Sequence, residues 1–169
     1  MADLYVSLGS NLGDRLDALN RARTAIGAEP GYTIDDASAV YETAPLGGPP
    51  QKSFLNQAVR CTTQEEPRAV LRTLKRIEKA LGRKKSSRWG PRRIDIDIVF
   101  YDDCVCEDSE LQIPHPRMHE RLFVLIPLSE IAPSVIHPEY KKSVSELRDQ
   151  LQAAAADKQM VRRYSRGKA

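Results

Sequence analysis

Two aspartates two positions apart, Asp95 and Asp97, lie in the alternating run Ile94-Asp95-Ile96-Asp97-Ile98. A loop carrying Arg88, Trp89, Arg92 and Arg93 leads directly into it. Side chains two apart on a strand share a face. Ile94, Ile96, Ile98 and Phe100 are therefore expected on one face, and Asp95 and Asp97 on the other. Carboxylates about 7 Å apart along a strand, next to arginines, suit Mg²⁺ and an anionic substrate. Mg²⁺ takes oxygen ligands and is commonly held by one or two carboxylates plus substrate phosphates. A lone D-x-D would be better read as the solvated face of a strand. Here Trp89, the tight Gly90-Pro91 turn and the surrounding arginines form a combination that a surface strand does not need, which favours a site.

The elements that must position these groups follow from periodicity. Leu4 to Leu8 alternates as a strand, and Gly9 to Asp14 turns into a helix capped by Asn11 or Asp14. This turn is neither a G-x-G-x-x-G fingerprint nor a P-loop. Leu12, Leu16, Leu19 and Ile26 recur at helical spacing, and Thr33 to Tyr41 reads as a second strand interrupted by Asp35-Asp36. A Pro- and Gly-rich loop, Glu42 to Gln51, precedes a third strand from Phe54 to Thr62. Leu55, Val59 and Cys61 face its core side, and Phe54, Asn56, Ala58 and Arg60 face the other. Pro67 opens a helix with a Val70, Leu74, Ile77, Leu81 stripe that Gly82 stops, and Glu78 lies near its end. The basic loop Gly82 to Arg93 then feeds the aspartate strand, which runs to about Tyr101. After it come a short strand at Leu111 to Ile113, a short polar helix within His115 to Phe123, and an apolar stretch, Val124 to Leu128, in which Pro127 marks a break or a helix start. A capping box at Ser143 and Glu146 begins a last helix with Val144, Leu147 and Leu151 on one face.

The order βαββαβ predicts an α+β fold, a ferredoxin-like core with an antiparallel sheet. Helices would cover the outer, isoleucine-bearing face, and a further strand and helices would follow at the C-terminus. The opposite face would carry Asp95, Asp97 and Asn56 under the two loops. We expect one domain over residues 1–157 and a weakly ordered basic tail over 158–169.

With 169 residues, 41% hydrophobic and 29% charged, the chain suits one globular domain with a real core. No apolar run reaches the length of a membrane helix, and the N-terminus lacks the features of a secretory signal. Cys61, Cys104 and Cys106 are an odd number of thiols without an export signal, so a reduced, cytoplasmic protein is expected. A net charge of +3 is too mild to imply nucleic acid, and neither nucleic acid nor a membrane is expected as a partner.

The run Arg88-Trp89-Gly90-Pro91-Arg92-x-Ile94-Asp95-Ile96-Asp97-Ile98 closely resembles the signature of the pterin pyrophosphokinases of folate biosynthesis. Further segments agree in order: Gly9-Ser10-Asn11-Leu12, Thr43-x-Pro45-Leu46-Gly47, the Leu55 to Val59 strand, Glu78 with Gly82-Arg83, Pro114-His115, Arg121-x-Phe123 and Pro127-Leu128. The resemblance implies transfer of pyrophosphate from ATP to 6-hydroxymethyl-7,8-dihydropterin, with small-molecule substrates only and a monomeric enzyme. It assigns Asp95 and Asp97 to two Mg²⁺ ions, and Arg83 and Arg92, with those aspartates, to catalysis. Glu78, Lys85, Arg88, Trp89, Arg92, the Ile98 backbone, His115 and Arg121 match ATP positions. Thr43, Pro45, Leu46, Phe54, Asn56, Trp89, Asp95 and Phe123 match pterin positions. Taken singly, Phe54 and Phe123 would be core residues and Asn56 a strand-edge polar group; their joint placement around the signature raises them. The chain departs from the family pattern with Phe54 for a frequent Tyr, Lys84-Lys85 for a second arginine, Pro116 for an aromatic and Arg93 for Thr. The acceptor of the pterin hydroxyl proton stays open between Asp97 and direct ionisation assisted by Mg²⁺. Two other classes compete: a Mg²⁺-dependent kinase of another small heterocycle, and a ferredoxin-like nucleic-acid-binding module. The latter is disfavoured because two acids on the binding face would, without metal, repel phosphate.

Overall fold

Leu4, Val6 and Leu8, with no exposed surface, form the middle of β1 (Ala2–Ser10), on which the sheet is built. The computed structural model of the chain describes residues 1–45, 49–82, 92–155 and 158–165. In order these hold α1 (Arg15–Ala28), β2 (Tyr32–Ala37), β3 (Tyr41–Thr43), β4 (Phe54–Thr63), α2 (Pro67–Ala80) and β5 (Asp95–Tyr101). Then follow β6 (Cys106–Glu107), β7 (Gln112–Ile113), a 3-10 turn (Met118–Glu120), α3 (Leu122–Ile131), α4 (Val144–Ala155) and β8 (Val161–Arg163). The main sheet runs β5-β1-β4-β3-β8 with β2 also on β4, and all of these pairings are antiparallel.

This is the expected βαββαβ core with its second strand divided. Asp35 is an extra residue between Ile34, opposite Cys61, and Asp36, opposite Arg60. Further on, Ser38 donates its N–H to the Ala58 carbonyl at 2.9 Å and its hydroxyl accepts the Ala58 N–H at 2.9 Å. These bonds take the chain out of regular pairing between β2 and β3, where the sequence predicts one strand to Tyr41.

One sheet face is filled as expected. Leu19, Ala22 and Ile26 of α1 and Val70, Leu74 and Ile77 of α2 pack on the β1 leucines, Leu55, Val59 and Ile94, Ile96 and Ile98. Asp14, not Asn11, caps α1 by accepting the Asp17 N–H at 3.0 Å. Gly82, at φ +93°, follows α2 in the left-handed region that glycine tolerates.

The other face differs from expectation. Its lower half is a second core in which Tyr5, Ala58, Val99 and Phe100 meet Met118, Leu125 and Leu128, with Val144 and Leu147 of α4. Only the upper half remains for the aspartates and Asn56. Phe100 itself belongs to this second core, not to the isoleucine face. Between β1 and β5 the register passes from Val6 opposite Ile98 to Tyr5 opposite Phe100, so Val99 is a bulge residue. One extra residue reverses the alternation beyond it, and Phe100 packs edge-on to Tyr5 with ring centroids 6.2 Å apart.

Pro127, expected to break or start a helix, lies inside α3. A proline there removes a single ladder donor, while Val124, Leu125 and Leu128 on the same helix are buried, a gain that outweighs it. The capping box at α4 forms as predicted: the Glu146 N–H reaches Ser143 Oγ at 3.1 Å, and the Ser143 N–H reaches Glu146 Oε2 at 2.9 Å.

The basic tail also differs, because part of it is a strand. β8 pairs Val161, Arg162 and Arg163 with Thr43, Glu42 and Tyr41 of β3, and Tyr164 N–H bonds the Val40 carbonyl at 2.8 Å. It covers backbone groups that a β3 edge would leave unpaired. Its arginines meet Glu42 at 2.8 Å and Glu130 at 3.4 Å, so the charges that read as a solvated tail have partners.

Phe100 has no exposed surface. We expect Phe100→Ala to cost about 3–5 kcal/mol of folding stability in urea unfolding; a loss below about 1 kcal/mol would contradict its place in the second core.

Candidate active site

Directly opposed residues in an antiparallel pair point to the same side of the sheet, and this brings the predicted residues into rows. Asp95 of β5 lies opposite Gly9 of β1, Gly9 opposite Asn56 of β4, and Asn56 opposite Tyr41 of β3. Asp97 lies opposite Ser7, and Phe54 opposite Thr43. Asp95, Asp97, Asn56, Phe54 and Thr43 therefore occupy the same open half-face. Asp97 is exposed and Asp95 half-buried, while the isoleucines between them are buried in the α1–α2 core.

Small and pinned residues complete the floor. A Cβ on Gly9 would stand 3.0 Å from Asn56 Oδ1 and 3.8 Å from Phe54 Cδ1, so both side chains lean across the glycine. Asn56 and Thr43 are buried, and Asn56 Nδ2 donates to Thr43 Oγ1 at 2.8 Å. That bond fixes the rotation of the asparagine amide. Its Oδ1 is thereby aimed over Gly9.

The C-terminal half contributes the rim. Arg121 immediately precedes α3, with its guanidinium 5.5 Å from the Phe123 ring centroid, a cation–π distance. Burial lowers the Arg121 pKa, and the charges of Asp97 and Asp95 act against that shift, which puts the guanidinium within electrostatic reach of both acids. The β5 bulge serves here too, because the Val99 carbonyl accepts the His115 N–H at 3.0 Å. His115 Nδ1 accepts the Arg117 N–H at 3.1 Å, leaving Nε2–H as the donor of the neutral ring. Burial, and then the charges of Arg121 and Arg117, push its pKa down to about 4.

Glu78 lies behind this face. It is buried on α2, and its Oε2 accepts the Ile96 N–H at 2.9 Å, on the residue between the two aspartates. Lys75 Nζ stands 3.6 Å from its other oxygen. Ile98 pairs opposite Val6, with its side chain buried. Pro45 is half-buried where the described part of its loop ends. Leu46, Arg83, Lys85, Arg88 and Trp89, all predicted site residues, lie outside the described residues.

Asn11, which sequence reasoning left without a site role, holds the loop bases, and Arg93 lies alongside. Asn11 is buried; its Nδ2 donates to Gln51 Oε1 at 2.8 Å and to the Lys52 carbonyl at 3.1 Å. Its Oδ1 accepts the Arg92 N–H at 2.7 Å, and its own N–H donates to the Arg92 carbonyl at 2.9 Å. One side chain thus ties the Pro-rich loop to the end of the basic loop. The signal was its position in the Gly9-Ser10-Asn11-Leu12 turn, which capping explained too cheaply. The Arg93 side chain runs past Gly82 and Gly13: Cβ atoms there would come within 3.1 Å of its Cδ and 3.6 Å of its Nη1, respectively.

The donor set fits Mg²⁺. Both carboxylates are hard oxygen ligands on one face, flanked by small strand neighbours, Gly9 and Ser7. Among the described residues no group of three or more His, Cys, Asp and Glu side chains gathers as a metal nest, so an ion here would complete its shell from substrate oxygens and water. Among the described residues, too, no helix is long and apolar enough to cross a membrane, and Cys61, Cys104 and Cys106 are free thiols.

Without ligand, we expect His115 to titrate near 4 in NMR, against 6.5 for an ordinary histidine. The folded pKa is the lower one, so the unfolded chain binds more protons between about 4 and 6.5. Stability attributable to this ring is therefore present above 6.5 and lost as pH falls toward 4, and His115→Gln should flatten that slope. An imidazole titrating at 6.5 or above would contradict the placement.

Comparisons with known proteins identify the family and the fold. Residues 5–133 match the family model for 7,8-dihydro-6-hydroxymethylpterin-pyrophosphokinase (HPPK). A 2-amino-4-hydroxy-6-hydroxymethyldihydropteridine pyrophosphokinase from Aquifex aeolicus is 41% identical over 148 residues, covering 88% of this chain and 91% of that one. The enzyme of the same name from Bacillus subtilis is 44% identical over 131 residues, 78% of each chain. Among solved structures, an HPPK-DHPS triple mutant from Plasmodium falciparum superposes with a TM-score of 0.74 at 14% identity. That match covers 92% of this chain and 44% of that one, so the present chain spans under half its length, and the likeness speaks for the fold. Signature, sheet and relatives converge: this chain belongs to the 7,8-dihydro-6-hydroxymethylpterin-pyrophosphokinase family.

Proposed function

We propose that this chain transfers the β,γ-pyrophosphoryl group of ATP to 6-hydroxymethyl-7,8-dihydropterin in folate biosynthesis, releasing AMP. The observation that carries this is the shared half-face: two carboxylates beside a buried, oriented asparagine and a half-buried phenylalanine, with a cationic rim. Carboxylates suit a metal-bound polyphosphate; the asparagine and ring suit a flat heterocycle with donors and acceptors around its edge.

The hydroxymethyl oxygen loses its proton, to Asp97 or to water by direct ionisation assisted by Mg²⁺, and attacks the β-phosphorus; the bond from that phosphorus to the α-phosphate oxygen breaks, and the electron pair leaves on AMP. Little covalent work falls to the protein, so positioning and electrostatics dominate. Asp95 and Asp97 would hold Mg²⁺, two ions in our reading, supplying charge neutralisation across attacking and leaving oxygens. Asn56 reads the pterin edge through its fixed amide, with the backbone near Thr43, Pro45 and Leu46. Phe54, Phe123 and Trp89 enclose the ring. Arg121, His115 through Nε2–H, Arg88, Lys85, Glu78 and the Ile98 backbone bind ATP. Arg83 and Arg92 pair phosphate oxygens as charge develops, a task for which the guanidinium fork is suited. We read the enzyme as a cytoplasmic monomer, in keeping with its free thiols, with one domain that takes in β8 and so extends past the expected boundary at 157.

Incubating the protein with ATP, Mg²⁺ and the hydroxymethyl-dihydropterin should yield AMP only when the pterin is present. ADP, or no turnover, would overturn the assignment. Asp95→Asn and Asp97→Asn, with unchanged circular dichroism, should each lower kcat by about 10²-fold or more; a near-normal rate in either would contradict the metal platform.

A further inference from the structure

The hairpin loop 44–53 springs from a base pair of residues, Thr43 opposite Phe54, and both belong to the proposed pterin pocket. Behind this base, Arg15 from the first turn of α1 reaches both arms of the hairpin. Its Nη1 donates to Glu42 Oε2 at 3.0 Å on one arm and to the Ser53 carbonyl at 2.9 Å on the other. Glu42 alternates with Thr43 along β3, so its side chain points away from the pocket face. The C-terminal segment closes the network. Arg162 Nη2 donates to Glu42 Oε1 at 2.8 Å, and the Tyr164 ring centroid lies 5.8 Å from the Arg15 guanidinium. Hydrogen bonds from Arg162 and then Arg15 hold the Glu42 carboxyl below its ordinary pKa despite its burial. Arg15 and Glu42 are largely shielded, at 21% and 18% side-chain exposure, whereas Arg162 is 74% exposed. The shielded pair is therefore worth more than an open surface bridge, while solvent around Arg162 screens its larger direct pull on the Glu42 carboxyl.

We propose that Arg15, through Glu42 and with the C-terminal segment 161–164, is a positioning residue for the pterin. It sets the separation and twist of the two arms that carry Thr43 and Phe54, without touching substrate. A clamp behind one pocket wall serves one substrate, so its loss should appear in pterin affinity and leave ATP affinity alone. This inference rests on the pterin pocket proposed above.

Steady-state kinetics separate the two. Asn56→Ala, which alters the pocket itself, should raise the pterin KM strongly. Arg15→Ala should raise the pterin KM by about tenfold, with the ATP KM within about twofold and kcat little changed, and Arg15→Lys should recover part of the loss. Arg162→Ala combined with Tyr164→Ala, which removes the C-terminal side of the network and part of the packing of Tyr164 on the main core, should give, with unchanged circular dichroism, a smaller rise of the same kind, about threefold. A pterin KM unchanged in Arg15→Ala and in the double variant, while Asn56→Ala raises it, overturns the clamp and leaves the pocket standing. Equal rises in both KM values also overturn the clamp, because a general structural loss predicts that pattern. No response in any of the variants overturns clamp and pocket together.

Discussion

Burial of Ile94, Ile96 and Ile98 against α1 and α2 decides where Asp95 and Asp97 stand. The side-chain period of a strand is two, so a one-residue slip would drive both carboxylates into an apolar core. An unpaired buried charge is too costly for that register to compete. Glu78 adds a polar constraint from the same side by accepting the Ile96 N–H. The acids are thus held by what lies beneath them, and the face that carries them can stay open and polar. The bulge at Val99 ends this arrangement at the right place. It turns Phe100 into the second core and spends the Val99 carbonyl on His115. One irregular residue both closes the half-face and ties His115 at its rim to the aspartate strand.

The loops are organised by a different device, long-range anchoring at their bases. Asn11 joins the Gln51–Lys52 end of one loop to Arg92 at the end of the other. Arg15 bridges the first loop from behind. Both anchors lie just after β1, the strand between β5 and β4.

Much of this was legible in the sequence because it follows from local periodicity. The Ile–Asp alternation, the helical stripes of α1 and α2, the Ser143–Glu146 capping box and the βαββαβ order each depend on near neighbours, and each appears in the structure. What escaped depends on partners distant in the chain. The face of Phe100 hinges on a bulge set by pairing with Tyr5 and Val6. The order of Val161–Arg163 hinges on an open β3 edge more than a hundred residues earlier, where Glu42 awaits Arg162. A polar, basic stretch gives no local sign of such a partner. Asn11 was visible but misread, since capping is the local explanation for an asparagine before a helix and bridging two loops is not. Pro127 was read by its local cost alone, and the buried contacts of α3 outweigh it.

We propose that Asp95 and Asp97 form a metal platform completed by the nucleotide. Counting Mn²⁺ bound per chain by electron paramagnetic resonance, with and without a non-hydrolysable ATP analogue, tests it most directly. Tight binding of two ions is expected only when the nucleotide is present, with loss of that binding in Asp95→Asn/Asp97→Asn. Unchanged stoichiometry and affinity in the double variant would contradict it.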